Sequence, residues 1–188
     1  MPNLLKQIPE TMRKQNIPDE TIAQFNIPSE SSSEMVMELI VQMDKLLTEE
    51  QCLSIMQEQG CCKTGKPAAP HRAFGIENKD KTLEEKVALL NSANIPHKAP
   101  CRLNKDGTLS VYWGKEDLKK KSCPCGLIKK LPDTYEIPKT FCGCCGGHIR
   151  SNYQKSLGVK LRLMEIVSSS SSSGGEKRCE FLYEILTV

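Results

Sequence analysis

Gly147-His148-Ile149-Arg150-Ser151-Asn152-Tyr153-Gln154-Lys155-Ser156-Leu157-Gly158-Val159-Lys160-Leu161-Arg162-Leu163-Met164-Glu165-Ile166-Val167 decides the fold class. Residues 147–157 read as a helix, and Gly158 stops it in a left-handed cap that only glycine adopts without cost. Val159 to Val167 is strand-like, and a second such run follows from Arg178 to Leu186. Between them lie Ser168 to Ser173 and Gly174-Gly175, too polar to pack and expected to form a mobile hairpin tip. A helix feeding an antiparallel hairpin predicts an α+β domain that closes on its C-terminal hairpin.

Upstream signals agree. Cys101-Arg102-Leu103 and Leu109 to Trp113 flank Asn104-Lys105-Asp106-Gly107, a hairpin pattern. Thr82-Leu83-Glu84-Glu85 is a capping box, so a helix is expected from Leu83 to about Ala93. Met35, Leu39, Met43, Leu46 and Leu47 follow helical spacing, and Thr48 to Met56 either continues that helix or starts another. Lys63 to Pro70 reads as a loop from its Gly and Pro content. In residues 1–33 the units Ile8-Pro9, Ile17-Pro18 and Ile27-Pro28 each place a proline where it opens a helical turn and forbids a long helix. That predicts an N-terminal arm of short helices over 1–33, wrapping the body or a partner subunit, and an α+β domain over 34–188.

The chain has 188 residues, 38% of them apolar and 5% aromatic, with Trp113 its single tryptophan. A core is attainable but modest, and cross-linking would help it. No apolar run approaches the roughly 20 residues of a membrane helix. Met1-Pro2-Asn3-Leu4-Leu5-Lys6 lacks the apolar stretch and cleavage site of a secretory signal, so the expected location is cytoplasmic. A net charge of +3 argues against nucleic acid as a partner, and the mixed run from Lys115 to Lys121 reads as a solvated turn.

The ten cysteines carry the chemistry. Cys123-Pro124-Cys125 and Cys142-Gly143-Cys144-Cys145 are two short thiol groups within segment 123–148. In a reducing compartment, clustered cysteines bind metal or do redox work more often than they form disulfides. Cys123, Cys125, Cys142 and one of Cys144 or Cys145 make a four-thiolate zinc site. Alternatively Cys142, Cys144, Cys145 and His148 hold the ion. The competing reading is nucleophilic. Cys144 and Cys145 precede a helix whose dipole favours the thiolate, and His148 stands near enough in sequence to accept the proton. The plainer reading is a small buried residue in a glycine turn. Cys52, Cys61 and Cys62 form a second group at a helix end, completing the first, pairing with it as a disulfide on exposure to air, or staying as buried thiols. Cys101 and Cys179, in strand-like runs, read as core residues or cross-strand neighbours. His71 and His97 read as exposed loop residues, whereas Arg72 and Arg102 are candidates for anchoring an anionic ligand at a pocket mouth.

The C-terminal third, through Phe141-Cys142, Gly146-Gly147-His148, Tyr153, Leu157-Gly158, Glu165, Gly175, Cys179 and Phe181, resembles the small-molecule-binding domain first named for 4-vinyl reductase. It is similar in particular to bacterial proteins of the L-2-amino-thiazoline-4-carboxylic acid hydrolase-like group. The resemblance spans roughly Cys123 to Val188. It implies a bent antiparallel sheet, a ligand cavity between sheet and helices, and dimers. Serine stands near position 168 where a second hairpin cysteine would align. The combined expectation is a small-molecule-binding, sensory protein with a structural zinc site, a small organic ligand and a homodimeric state. The alternatives are a hydrolase of a small carbon–nitrogen or carbon–sulfur compound, using Cys144, Cys145 or a thiol-held metal, and a redox sensor.

Overall fold

The computed structural model describes residues 4–28, 32–60, 68–96, 98–114, 123 and 125–186. Cys61, Cys62, His97 and the Lys115–Lys121 run therefore lie outside the described residues. The described helices are α1 (Leu4–Lys14), α2 (Asp19–Ile22), α3 (Ser33–Leu46), α4 (Glu49–Glu58), α5 (Ala69–Glu77), α6 (Leu83–Ser92) and α7 (Gly143–Leu157). The strands are β1 (Cys101–Leu103), β2 (Leu109–Trp113), β3 (Lys160–Ser168) and β4 (Cys179–Leu186). They form an open sheet in the order β1-β2-β4-β3, antiparallel throughout. The fold is α+β, with the expected last helix followed by a hairpin.

Local chemistry explains the boundaries. Thr82 and Glu85 exchange the two hydrogen bonds of a capping box, and Thr48 with Gln51 does the same at the start of α4. Leu47 is extended, so α3 and α4 are separate helices. Gly158 ends α7 at φ 71°. In β3 the alternation slips. Register shifts after Leu163 and after Ile166 leave Met164 and Val167 as extra residues, so Leu161, Leu163 and Ile166 all reach the core despite their uneven spacing. Each bulge also bends the strand.

Three expectations are corrected. First, α1 runs through Pro9. The proline removes one backbone bond and costs roughly 3 kcal/mol. Burial of Leu4, Leu5, Ile8 and Met12 on one face, at about 1.5–3 kcal/mol each, outweighs that cost. Second, the loop ends before residue 69, because Pro70 sits in the first turn of α5, where its missing N–H is no loss. His71 is consequently helical and fully buried, its Nδ1 lying 2.8 Å from the Ser156 hydroxyl on α7. Third, the serine tract packs. Ser169, Ser170 and Ser171 are buried, because hydrogen bonds to cysteine sulfur and to neighbouring backbone satisfy part of their polarity.

The core falls into two apolar clusters. One joins α1, α2, α3 and most of the inner face of α4 to Cys123, Ile128, Leu131, Ile137 and Phe141. The other joins α5, α6, α7 and the sheet. The N-terminal helices thus share a cluster with α3 and α4. Helix α4 also meets α7 at very short range, since a β-carbon on Gly147 would stand 1.8 Å from the Gln57 carbonyl oxygen.

A candidate thiol centre at the seam of two cores

A 3-10 turn, Lys139–Cys142, delivers the chain into α7, so Cys142 precedes the helix and Cys144 and Cys145 lie in its first turn. Glycines at 143, 146 and 147 are poor helix formers, yet they are helical here because this face is pressed onto α4 and the sheet. Gly143 opposes Met56, Gly146 opposes Leu163 and Gly147 opposes Gln57. The two adjacent thiols diverge, being about 100° apart on a helix. Cys144 packs on the N-terminal cluster and donates to Gln59 O at 3.4 Å. Cys145 packs on the sheet cluster instead.

Cys145 meets the other thiols. The groups acting on it electrostatically are Cys142, Cys123, Cys125 and Cys179. Of these, Cys123 and Cys125 belong to the N-terminal cluster, and Cys142 and Cys179 to the sheet cluster. Thiols from three chain segments therefore lie within electrostatic reach of Cys145, where the two apolar clusters meet. Cys179 opens β4 opposite Trp113 of β2. The serine turn closes over it: Ser170 N–H donates to Cys179 Sγ at 3.3 Å, and Ser169 and Ser171 Oγ lie 3.0 and 3.4 Å from Cys142 Sγ. Ser170 Oγ is buried beside them without a partner among the described residues. All the described cysteines are free thiols.

The electrostatics favour protons on sulfur. Burial pushes Cys123 up to about 11, with Cys125 and Cys142 adding to the rise. Burial also raises Cys142, against the downward pull of the Ser169 and Ser171 hydroxyls, and raises Cys179. Cys145 is held well above the ordinary thiol range by burial first and the four neighbouring sulfurs second. This corrects the expected low pKa at Cys145. The helix terminus does supply a favourable dipole, but loss of water around a thiolate outweighs it. Among the described residues, no three His, Cys, Asp or Glu groups are arranged to hold a metal ion.

The sequence candidates separate accordingly. Cys123, Cys125 and Cys142 lie within electrostatic reach of Cys145, Cys144 turns away, and Cys179 is within that reach too although its sequence reads as core. The hairpin pattern did contain the relevant signal, since pairing β3 with β4 necessarily brings Ser169–Ser171 and Cys179 to one end. His148 sits on the sheet side of α7, its ring 6.3 Å from Trp113 in an edge arrangement and its Nε2 3.3 Å from Asn152 Nδ2. Arg72 is exposed on α5. Arg102 is exposed on β1, donating to Asn104 and lying 6.0 Å from the Tyr112 ring. Neither lines the cleft of about 450 Å³ between α4 and β3, bounded by Glu49, Glu50, Leu53, Gln57, Arg162 and Met164 among others. Within the described residues no helix is long and apolar enough to cross a membrane.

No family model and no curated protein matches the chain. Among solved structures it is similar to the crystal structure of an H-NOX protein from S. oneidensis in the Fe(II)NO ligation state, at 10% identity over 100% of both chains. The TM-score is 0.36, too low to transfer either fold or function.

Proposed function

We propose that the chain is a cytoplasmic, small-molecule-binding sensory protein of the 4-vinyl-reductase type, in which the thiol–serine cluster is a metal-responsive centre joining two halves of the core. The observation that carries this reading is the serine turn closed over Cys142 and Cys179 Sγ, with Cys123, Cys125, Cys142 and Cys179 all within electrostatic reach of Cys145. In a reducing compartment such thiols do not stabilise by disulfide formation. As buried protonated groups they do no more than small apolar side chains would. A metal ion gives the arrangement a purpose, because it exchanges for the thiol protons and ties segment 123–125 to α7 and β4. Zinc, the ion expected of a four-thiolate site, would need segment 123–125 to close further onto Cys142 and Cys145. The α4–β3 cleft, apolar at Leu53, Leu163 and Met164 and charged at Glu49, Glu50 and Arg162, is the place for a small organic ligand carrying a charged group.

The test is native mass spectrometry on chain purified anaerobically, with melting measured before and after metal addition. Trp113, paired with Cys179 in the β2–β4 ladder, gives a fluorescence readout of the same event. The expected result is a bound ion that raises the melting temperature. A chain that takes up no ion, by itself or on titration with zinc and copper salts, overturns the reading.

A further inference from the structure

Both outer strands of the sheet are met by side-chain carboxamides. Among the described residues β1 and β3 are the edges, each bonded to a neighbouring strand on one side alone. On β1, Asn91 of α6 pairs with Cys101 as another strand would. The Cys101 N–H donates to Asn91 Oδ1 at 2.9 Å, and Asn91 Nδ2 donates to Cys101 O at 2.8 Å. On β3, the Leu161 N–H donates to Gln154 Oε1 of α7 at 2.9 Å, and the Leu163 N–H donates to Gln57 Oε1 of α4 at 3.2 Å. Leu161 and Leu163 are two apart, so both present their N–H groups to the side away from β4. Gln57 is buried, which holds its carboxamide in place. The rest of β3 is protected by shape. Its register shifts after Leu163 and after Ile166 mark two bulges, which interrupt any further ladder. Three helices thus each direct a carboxamide at main-chain groups that a strand of another chain would otherwise take.

We propose that the β3 edge is a strand-addition surface for a second copy of this chain, held closed by Gln57 and Gln154. β3 is the longer edge, nine residues against three in β1. Its charges suit its own kind: in an antiparallel pair, Lys160 at the start of one β3 lies towards Glu165 of the other. Arg162, between them, is already matched within the chain by Glu184 at 2.7 Å. Met164, 45% exposed on the same strand, would lose water in that pairing. The two glutamines decide against it, because a donor already bonded inside the chain gains little from a newcomer. Without them, two main-chain N–H groups at the edge lack an internal acceptor, and the carbonyls of a second β3 supply one.

The experiment compares the full parent chain with a Gln57→Met, Gln154→Met double variant, since methionine keeps the length of glutamine and removes the acceptor. Amide hydrogen exchange is read at Leu161 and Leu163, and sedimentation velocity is run from micromolar to millimolar chain. In the dilute variant these two amides should exchange roughly tenfold faster than in the parent, the loss of one ordinary hydrogen bond each. On concentration the variant should form dimers beyond any that the parent forms, and the same two amides should become protected again. Gln154→Met alone keeps the test decisive if the double variant does not fold, because that side chain is only half-buried and its loss by itself frees the Leu161 N–H. Gln154→Glu, whose carboxylate still accepts from Leu161, should behave as the parent. Variants that associate no more than the parent overturn the proposal. Association that leaves Leu161 and Leu163 exchanging freely also overturns it, since the new contact then lies elsewhere. So does association of Gln154→Glu equal to that of Gln154→Met.

Discussion

Gly147→Ala tests whether the α4–α7 contact organises the thiol centre. The new β-carbon would stand 1.8 Å from Gln57 O, 2.5 Å from Gln57 C and 2.8 Å from Gln57 Cα. All three are backbone atoms, so no flexible tip can swing aside. Reaching the 3.0 Å that real β-carbons respect requires the helices to part by about 1.2 Å locally. A gap of 0.5–1 Å forfeits roughly a quarter to a half of each dispersion contact across it. Overpacking of this kind costs about 1–3 kcal/mol and more where backbone must move, so the upper end applies. The better helix propensity of alanine returns about 1 kcal/mol. A net loss of about 2–3 kcal/mol lowers the melting temperature of a chain this size by roughly 4–12 °C. Gly146→Ala is the comparison, because its β-carbon meets the Leu163 Cδ2 methyl at 2.7 Å, a side-chain end that can move. Thermal unfolding by circular dichroism measures both. If Gly147→Ala melts within about 2 °C of the parent, or above Gly146→Ala, the close contact is not holding α7.

Other consequences follow from the same geometry. Cys52 and Cys101 are raised by burial to about 12, and Cys123 to about 11, from 9.0. Their folded pKa lies above the unfolded one, so the native state keeps more protons once pH exceeds 9. Stability is therefore fully present below pH 9 and is lost as pH rises from 9 towards 11–12. Urea midpoints should fall between about pH 9 and about pH 10.5, the lower part of that window, and Cys52→Ala with Cys101→Ala should flatten the fall; an unchanged slope in the double variant refutes it. His71→Ala should cost about 2–4 kcal/mol, through the cavity and the lost ring partner of Ser156, whose hydroxyl keeps only its 3.5 Å bond to the residue 71 carbonyl. Adding Ser156→Ala should restore about 0.5–1.5 kcal/mol of that loss in a double-mutant cycle, and strict additivity would mean that the pair does not interact. Replacing both Ser169 and Ser171 by Ala should weaken metal uptake at the thiol centre, since the hydroxyls beside Cys142 Sγ go and the sulfur stays. Equal zinc affinity of variant and parent, read against a competing chelator, would show that these hydroxyls do not stabilise a bound thiolate.

What the sequence made legible was local. The Thr82 capping box, Gly158, the 101–113 hairpin and the final pair of strands each depend on residues close together in the chain, and each formed where its pattern lies. What it hid was tertiary. Pro9 is a helix breaker by propensity and a core residue by packing, and only the partners of Ile8 and Met12 settle which property wins. His71 reads as a loop residue until α7 offers Ser156. The five clustered thiols of segment 123–148 were visible, but Cys144 and Cys145 could not be told apart until helix phase placed them on opposite clusters. Ser169–Ser171 looked solvated because no sequence rule anticipates sulfur as a hydroxyl's buried partner.

That pairing of serine with cysteine argues for function over stability. A thiol is a weak hydrogen-bond acceptor, so a buried hydroxyl or N–H aimed at one recovers little of the free energy lost on leaving water. Alanines at 169 and 171, with small apolar residues in place of the cysteines, would fill the same seam without that penalty. The arrangement changes character once sulfur carries charge. The contacts to Cys142 and Cys179 then become charge-assisted, and bonds of that kind are roughly twice as strong as neutral ones. Protonated sulfur leaves the donors poorly used, and donors poorly placed leave a thiolate too costly to bury. A cation that replaces the thiol protons resolves both penalties at once. On this reading loading is coupled to the stability of the hairpin end, so the metal-loaded chain should unfold at higher temperature and its Ser170 amide should exchange more slowly than in the metal-free chain.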